Sequence, residues 1–571
     1  MADDNDRLHP PLGTIIERCS ASREKRRQTY RLLRHWYLRG CELNNLPALF
    51  NRLHAHVELL SSMIYAPESA RFWLGVSPSE RAEYMDRLDV ARDEFSQHWR
   101  NCGADVDFAS YVDWAAVYGT LIVKIIPGPN GAVREAPIDP AAFGVGREDI
   151  PSLDRQPYFV HWYVISLPEL KDKIAALPVA EQADILSLAE SQSLPNNSAG
   201  VDQNMPGGMM GSVIVTSVND TDRVQGFLDL SSLNQDRPEV TEPLVELAEV
   251  WQRCQYQRND AKTPTGAFWD WKVSTCLGTY VLWETRNPVL PYVPGDRAGK
   301  GAIEAEQPFV AIRLGVLIDY FWGRSELAPL TRLQVAADDH LTDIREMMGR
   351  QLDPSGLMTG INLPQDKISA IRNKGNWIST QQAGGKLQPL VPTMPPQAFD
   401  LLTKFDQMFN EEGGIPEDLG TAQEDIRVQG QIQGTARKMG RIRKKALVVE
   451  DALEVLATRM FHVKQRNDAT EYTVGEGDTA ETFVLADLPM NAVVKVSAHS
   501  ASPVYAEQAL EKALVLYKAG AIDDASLIEI LDPPMMELLR EKAKAIMAAK
   551  AEAAGKKQEI EYLKATRAAR R

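Results

Sequence analysis

Gly323-Arg324-Ser325-Glu326-Leu327 opens a segment, Trp322 to Met460, whose order of pieces decides the fold. Ser325 is placed to cap a helix and Glu326 to sit in its first turn, where negative charge is favoured and where Pro329 is tolerated. Leu327, Leu330, Leu333, Ala337, Leu341, Ile344 and Met348 recur every three or four residues and line one helix face to about Leu352. Asp339, Asp343 and Glu346 share a second, acidic face. Asp353-Pro354-Ser355-Gly356 begins an irregular insert with β-prone pieces such as Trp377-Ile378-Ser379-Thr380, made locally basic by Lys367, Arg372, Lys374 and Lys386. A second helix is expected from Gln397 to Glu412, with Phe399, Leu402, Phe405 and Phe409, before Gly413-Gly414-Ile415-Pro416 stops it. From Glu417 to Gly434 four glutamines, three glycines and no apolar stripe predict an exposed loop. From Thr435 a helix returns, first cationic (Arg437, Lys438, Arg441, Arg443, Lys444, Lys445), then apolar (Leu447, Val448, Leu453, Leu456, Met460).

Working outward, 571 residues are too many for one ordinary core, so several subdomains are expected. With 44% apolar and 25% charged residues the composition is that of a soluble globular protein, which excludes a disordered or fibrous chain. No apolar run approaches the ~20 residues that span a bilayer. Met1-Ala2-Asp3-Asp4 is acidic and lacks a hydrophobic signal core, so the protein is expected to stay in the cytoplasm where it is made. Cys19, Cys41, Cys102, Cys254 and Cys276 are scattered without a CxxC pair, which argues against a disulfide framework or structural zinc and for reduced core thiols. The formal charge of −15 disfavours sequence-independent wrapping of nucleic acid, which draws its affinity from many cationic phosphate contacts. It permits a passage, because a conduit through which DNA slides gains nothing from strong phosphate binding.

In the first half, Arg23, Lys25, Arg26, Arg27, Arg31, Arg34 and Arg39 interleave with Tyr30, Trp36 and Tyr37 on a candidate helix. It reads either as a nucleic-acid or scaffold contact or as the solvated face of a packed helix. Two further amphipathic helices are expected at 51–65 and 79–100. Tyr118 to Ile126 reads as a buried strand ending in the turn Pro127-Gly128-Pro129-Asn130-Gly131. Other strands are expected at Tyr158 to Ile165, Trp269 to Thr275, Thr279 to Glu284 and Phe309 to Leu314, with a surface insertion near 190–240. Short strands at Glu471 to Thr473, Glu481 to Leu485 and Ala492 to Ser497 should return to the first subdomain. A helical tail follows Ser502-Pro503, and its last part from Met535 reads equally as a solvated terminal helix or one packed on neighbours.

Signs of catalysis are absent. Gly295-Asp296-Arg297-Ala298-Gly299-Lys300-Gly301 is one residue short of a phosphate-binding loop, lacks its Ser or Thr, and reads as a turn. His54 and His56 point to different helix sides without a metal-ligand partner, and Gly323-Arg324-Ser325 lacks the closing glycine of a nucleophile elbow. Asp338 with Asp339, Asp343 and Glu346 leaves one enzymatic alternative, a metal-dependent nucleic-acid-processing enzyme. Otherwise no catalytic residue, metal or cofactor is expected.

The order of helix, irregular tip, helix, loop and basic helix resembles the portal protein of tailed bacteriophages. The resemblance covers most of the chain, and its short motifs are Tyr118-Gly119-Thr120 before a strand, Pro308-Phe309-Val310, Gly323-Arg324-Ser325, and Gly413-Gly414-Ile415-Pro416 with Leu419-Gly420. It implies an α+β fold: a wing (1–315), a first stem helix (316–352), a clip (353–395), a second stem helix (396–412), a tunnel loop (413–434), a long helix with wing return strands (435–504) and a helical crown and tail (505–571). It implies a homododecameric ring in the virion, assembled in the host bacterial cytoplasm, through which double-stranded DNA is packaged and ejected. The implied partners are the major capsid protein, scaffold, the large terminase subunit and a head-completion or tail adaptor, with no membrane. Lys367, Arg372, Lys374 and Lys386 would dock acidic partners. Arg427, Gln429, Gln431 and Gln433 would face the DNA channel, as would the acidic stripe Asp339, Asp343 and Glu346. Arg437, Lys438, Arg441, Lys444 and Lys445 would touch DNA or neutralise acidic groups across subunit interfaces. Another ring component of the head–tail junction is a further alternative.

Overall fold

The structure, a computed structural model, describes residues 9–38, 51–67, 70–76, 81–175, 177–192, 244–257, 267–292, 305–352, 355–359, 377–380, 386–390, 397–413, 428–474, 481–496, 515 and 517–518. Lys367, Arg372, Lys374 and Arg427 lie outside them, as do Cys41, the 295–301 turn, the insertion from 193 and nearly all of the tail.

The chain is α+β, and strand β2 (Thr120–Pro127) runs through its middle. Its sequence Thr-Leu-Ile-Val-Lys-Ile-Ile is apolar on both faces because both faces are covered. β2 pairs antiparallel with β3 (Val133–Ile138) and with β9 (Phe309–Arg313). Leu121, Val123 and Ile125 of β2 enter a core shared with the helices α1 (Leu12–Leu38), α2 (Arg52–Ile64), α3 (Arg81–Asn101), α4 (Ala104–Tyr118) and the second half of α9 (Val428–Asn467). Ile122 enters a different, aromatic core of Phe143, Phe159, Trp251, Trp271 and Phe309. That core lies against a five-stranded antiparallel sheet, β4 (Phe143–Val145), β5 (Tyr158–Ser166), β6 (Leu244–Gln257), β7 (Ala267–Leu277) and β8 (Tyr280–Arg286), ordered as numbered. Phe159 stacks on Trp251 at 5.8 Å between centroids and meets Phe309 edge-on at 5.3 Å, contacts worth about 0.5–1.5 kcal/mol each beyond area burial. Ile15 and Cys19 of α1 pack with Tyr158, Val160 and Trp162 of β5, while α5 (Leu167–Ile174) and α6 (Val179–Gln192) share a core with Val245, Leu247 and Leu277.

Charge crosses between the two sheets at Lys124. Lys124 of β2 pairs with Glu249 of β6 at 2.5 Å, and Glu249 also accepts from His161 Nδ1 at 3.1 Å. Burial alone would raise the Glu249 carboxyl, but Lys124 and the His161 hydrogen bond outweigh it and hold the group at about 2. Burial, aided by Lys124, pushes His161 down to about 4, so the ring is neutral and donates its Nδ1 proton.

α1 is a packed helix with a solvated side at Glu24, Lys25, Gln28 and Thr29, as one of its two readings has it, but two of its arginines turn inward. Arg23 pairs with Glu246 at 2.7 Å and lies over the Trp162 ring. Arg26 pairs with Glu148 and covers Trp322 at 3.8 Å. Their side chains are only 13% and 11% exposed, so these two guanidinium groups form neither a solvated face nor a nucleic-acid surface.

The expected return strands are present. β15 (Val493–Val496) pairs antiparallel with β1 (Phe72–Gly75), and β13 (Glu471–Val474) pairs with β14 (Glu481–Val484). In the second half of α9, Leu453, Leu456, Met460 and Phe461 are fully buried, and polar neighbours that are nearly so find partners. Arg459 donates to Asp154 at 2.8 Å and to the Phe309 carbonyl, while His462 bonds Glu306 and the Ala492 carbonyl at 2.9 and 2.7 Å. None of the described helices is long and apolar enough to cross a membrane.

Candidate functional site

The Trp322–Met460 segment is rooted where two sequence motifs meet. α4 ends at Gly119, whose φ of 84° is the left-handed conformation that glycine adopts without a Cβ penalty. The chain before α7 (Leu327–Leu352) passes directly over this end. Gly323 N–H donates to Thr120 Oγ1 at 2.6 Å, Ser325 Oγ to the Val117 carbonyl at 2.5 Å, and Glu326 N–H to the Ala116 carbonyl at 3.0 Å. A Cβ on Gly323 would lie 2.2 Å from the Gly119 carbonyl oxygen, and one on Gly119 would lie 2.4 Å from that of Gly323. Tyr118-Gly119-Thr120 and Gly323-Arg324-Ser325 are thus two halves of one contact. Ser325 Oγ also accepts from Leu327 N at 3.1 Å, a turn just ahead of the helix rather than the cap expected of it, because Glu326 holds the position before the first helical residue. Glu326 does not belong to the first turn; it precedes the helix and pairs with Lys445 of α9 at 2.8 Å.

α7 spans Leu327–Leu352, the extent its apolar spacing predicts. Leu327, Leu330, Ala337 and Ile344 are buried, whereas Met348 is 50% exposed and departs from the expected stripe. α8 (Gln397–Gly413) packs on α7, with His340 bonding the Ala398 carbonyl at 2.9 Å and its ring edge-on to Phe405. Between them a small sheet forms from β10 (Ser355–Thr359), β11 (Trp377–Thr380) and β12 (Lys386–Leu390). β10 is central, parallel to β11 and antiparallel to β12. The base of the pair meets α2. Arg52 pairs with Asp406 of α8 and feels the charge of Asp338 of α7, and His56 sets its ring edge-on to Phe409. Gly413 lies against His56, since a Cβ there would be 2.4 Å from His56 Cε1. Burial, reinforced by the Lys445 charge, pushes His56 down to about 4.

No model of a known protein family matches the chain, and neither does any characterised protein.

Asp339, Asp343 and Glu346 are all exposed on α7, and Glu346 pairs with Arg350 one turn on at 3.4 Å. Asp338 does not join them. It is buried and accepts from Gln334 Nε2 at 2.8 Å. Among the described residues no three His, Cys, Asp or Glu side chains converge as metal ligands. Lys386 opens β12. The expected loop through Gly434 is overturned from Val428 onward: α9 starts there, so Gln429, Gln431 and Gln433 are helical, as are Arg437 and Lys438. Glutamine is a good helix former, and Gly430 and Gly434 each cost only about 1 kcal/mol in a long helix whose far end is buried. Arg441 and Lys444 are exposed and Arg443 half-buried. Lys445 is committed within the chain, 18% exposed against an equally covered Glu326. The contribution of α2 has no mark in the sequence beyond two histidines that spacing alone assigns to different sides.

Proposed function

We propose that this chain is a portal-type ring subunit, one of twelve copies surrounding a channel for double-stranded DNA at a capsid vertex. One observation supports this reading most: a helix pair bearing a small sheet at its far end is followed by a forty-residue helix that runs back into the core beside the returning strand β15. On this reading α7 and α8 are the stem, β10–β12 belong to the clip that docks terminase and later an adaptor, and Gly413 to Val428 is the tunnel-loop region. The exposed acidic face of Asp339, Asp343 and Glu346 then lines the bore and keeps DNA from adhering, while Arg441 and Lys444 meet phosphates or a neighbouring subunit. A ring needs two different surfaces on each copy, and the separate exposed sides of α7 and α8 provide them. Size-exclusion chromatography with light scattering, followed by negative-stain imaging down the ring axis, tests the proposal. A closed ring of about twelve copies is expected; a chain that stays monomeric or dimeric under assembly conditions refutes it.

A further inference from the structure

The two helices of the pair are attached to the rest of the chain by different means. α7 starts on main-chain hydrogen bonds, because Gly323, Ser325 and Glu326 are tied to Thr120, Val117 and Ala116. Mutual exclusion of side chains at Gly119 and Gly323 leaves that contact no slack. α8 has no such root. Among the described residues its main chain bonds to α7, through the Ala398 carbonyl and His340, but to no group of α2, α4, α9 or a sheet, and its buried residues are Ala398 and Phe409. Phe399 and Met408 stand 53% and 50% exposed. What holds its end to the body is side-chain contact with α2: Arg52 on Asp406, and His56 against Phe409 and Gly413. The Arg52 and Asp406 side chains are 33% and 45% exposed, so water and salt reach the pair and its contribution is small.

We infer that α8 is the releasable member of the helix pair, and that Arg52 and His56 form a latch whose opening frees α8 while α7 stays fixed to α4. Release also uncovers the His56 ring, which is buried while α8 is docked. The inference does not depend on the portal reading.

Hydrogen exchange followed by mass spectrometry on the full chain tests it. In Arg52→Ala, amides of Gln397–Gly413 should exchange roughly two- to fivefold faster than in the wild type, while β2 and the first two turns of α7 keep their rates. Gly413→Ala, which drives a Cβ into His56 from the other side, should give the same pattern. The charge-exchanged pair Arg52→Asp with Asp406→Arg should return α8 towards its original rate. Acceleration of α7 and α8 together, or unchanged exchange in α8 in both single variants, overturns the latch.

Discussion

Replacing Gly323 with alanine should unfasten α7 from the body of the protein. The new Cβ would sit 2.2 Å from the Gly119 oxygen, 3.0 Å from its carbonyl carbon and 3.1 Å from Thr120 Oγ1, against ordinary contacts that begin at 3.4 Å. Both close neighbours are main chain, and Gly119 is held at a φ of 84°, so relief requires the two segments to part by roughly 1 Å, an overpacking penalty of about 1–3 kcal/mol. Parting stretches the 2.6 Å bond from Gly323 N and the 2.5 Å bond from Ser325, and stranding those buried groups adds about 1–2 kcal/mol. The expected loss is therefore about 2–5 kcal/mol, a large share of the stability of an ordinary domain. Urea denaturation followed by tryptophan fluorescence measures it, with Trp322 adjacent to the lesion. Gly349→Ala is the control: it lies in the exposed end of α7 with nothing within 4 Å, and should stabilise by up to about 1 kcal/mol. If Gly323→Ala stays within 1 kcal/mol of the wild type, roughly the noise of such a comparison, the root assigned to α7 is wrong.

Lys124→Met should cost about 3–5 kcal/mol by stranding Glu249 between the sheets, and adding Glu249→Gln should recover most of it in thermal melts. In the wild type the depressed Glu249 carboxyl contributes stability above its unfolded pKa, and that contribution should disappear as pH falls from above 4 through about 2. Asp113 has the opposite sign. Burial, with a smaller push from Glu58, raises its carboxyl to about 6 against the lowering effect of a Ser61 hydrogen bond, so its contribution to stability declines as pH rises from 4 through 6. Asp113→Asn should accordingly stabilise by up to about 2 kcal/mol at pH 7 and by little at pH 4, read from denaturation midpoints at the two pH values. Arg441→Ala with Lys444→Ala should leave stability within about 0.5 kcal/mol, whereas Lys445→Ala should lose about 1–2 kcal/mol by leaving Glu326 half-buried and unpaired.

Elements whose own residues declare their surroundings are legible in the sequence. β5, β7, β8 and β9 are short aromatic or β-branched runs, and α7 carries its stripe at helical spacing. β6 is not legible, because Glu246, Glu249, Gln252 and Arg253 break any alternation in Leu244–Gln257. Glu246 and Glu249 are accommodated by Arg23 and Lys124, each more than a hundred positions away. α4 is missed for the converse reason: beside the stripe of Phe108, Tyr111, Val112, Ala115 and Tyr118, the apolar residues Val106, Ala109, Ala116 and Val117 occupy its other sides, so the contrast between faces is lost. The acidic face of α7 follows from spacing alone. The root at Gly119 and the role of His56 do not, since both depend on segments that meet only after folding.

α9 makes the spacing of its residues a matter of angular phase. Its second half is locked by contacts on every side, and its first half is joined to the start of α7 through Lys445. Each residue advances an α-helix by about 100°, so one residue inserted between Lys445 and Leu453 would turn the Lys445 ammonium away from Glu326 and swing Arg441 and Lys444 a quarter-turn around the axis. Four inserted residues would nearly restore the direction while displacing the cations by about 6 Å along the helix. The segment should therefore tolerate substitution at Leu447, which is 48% exposed, far more readily than any change in length.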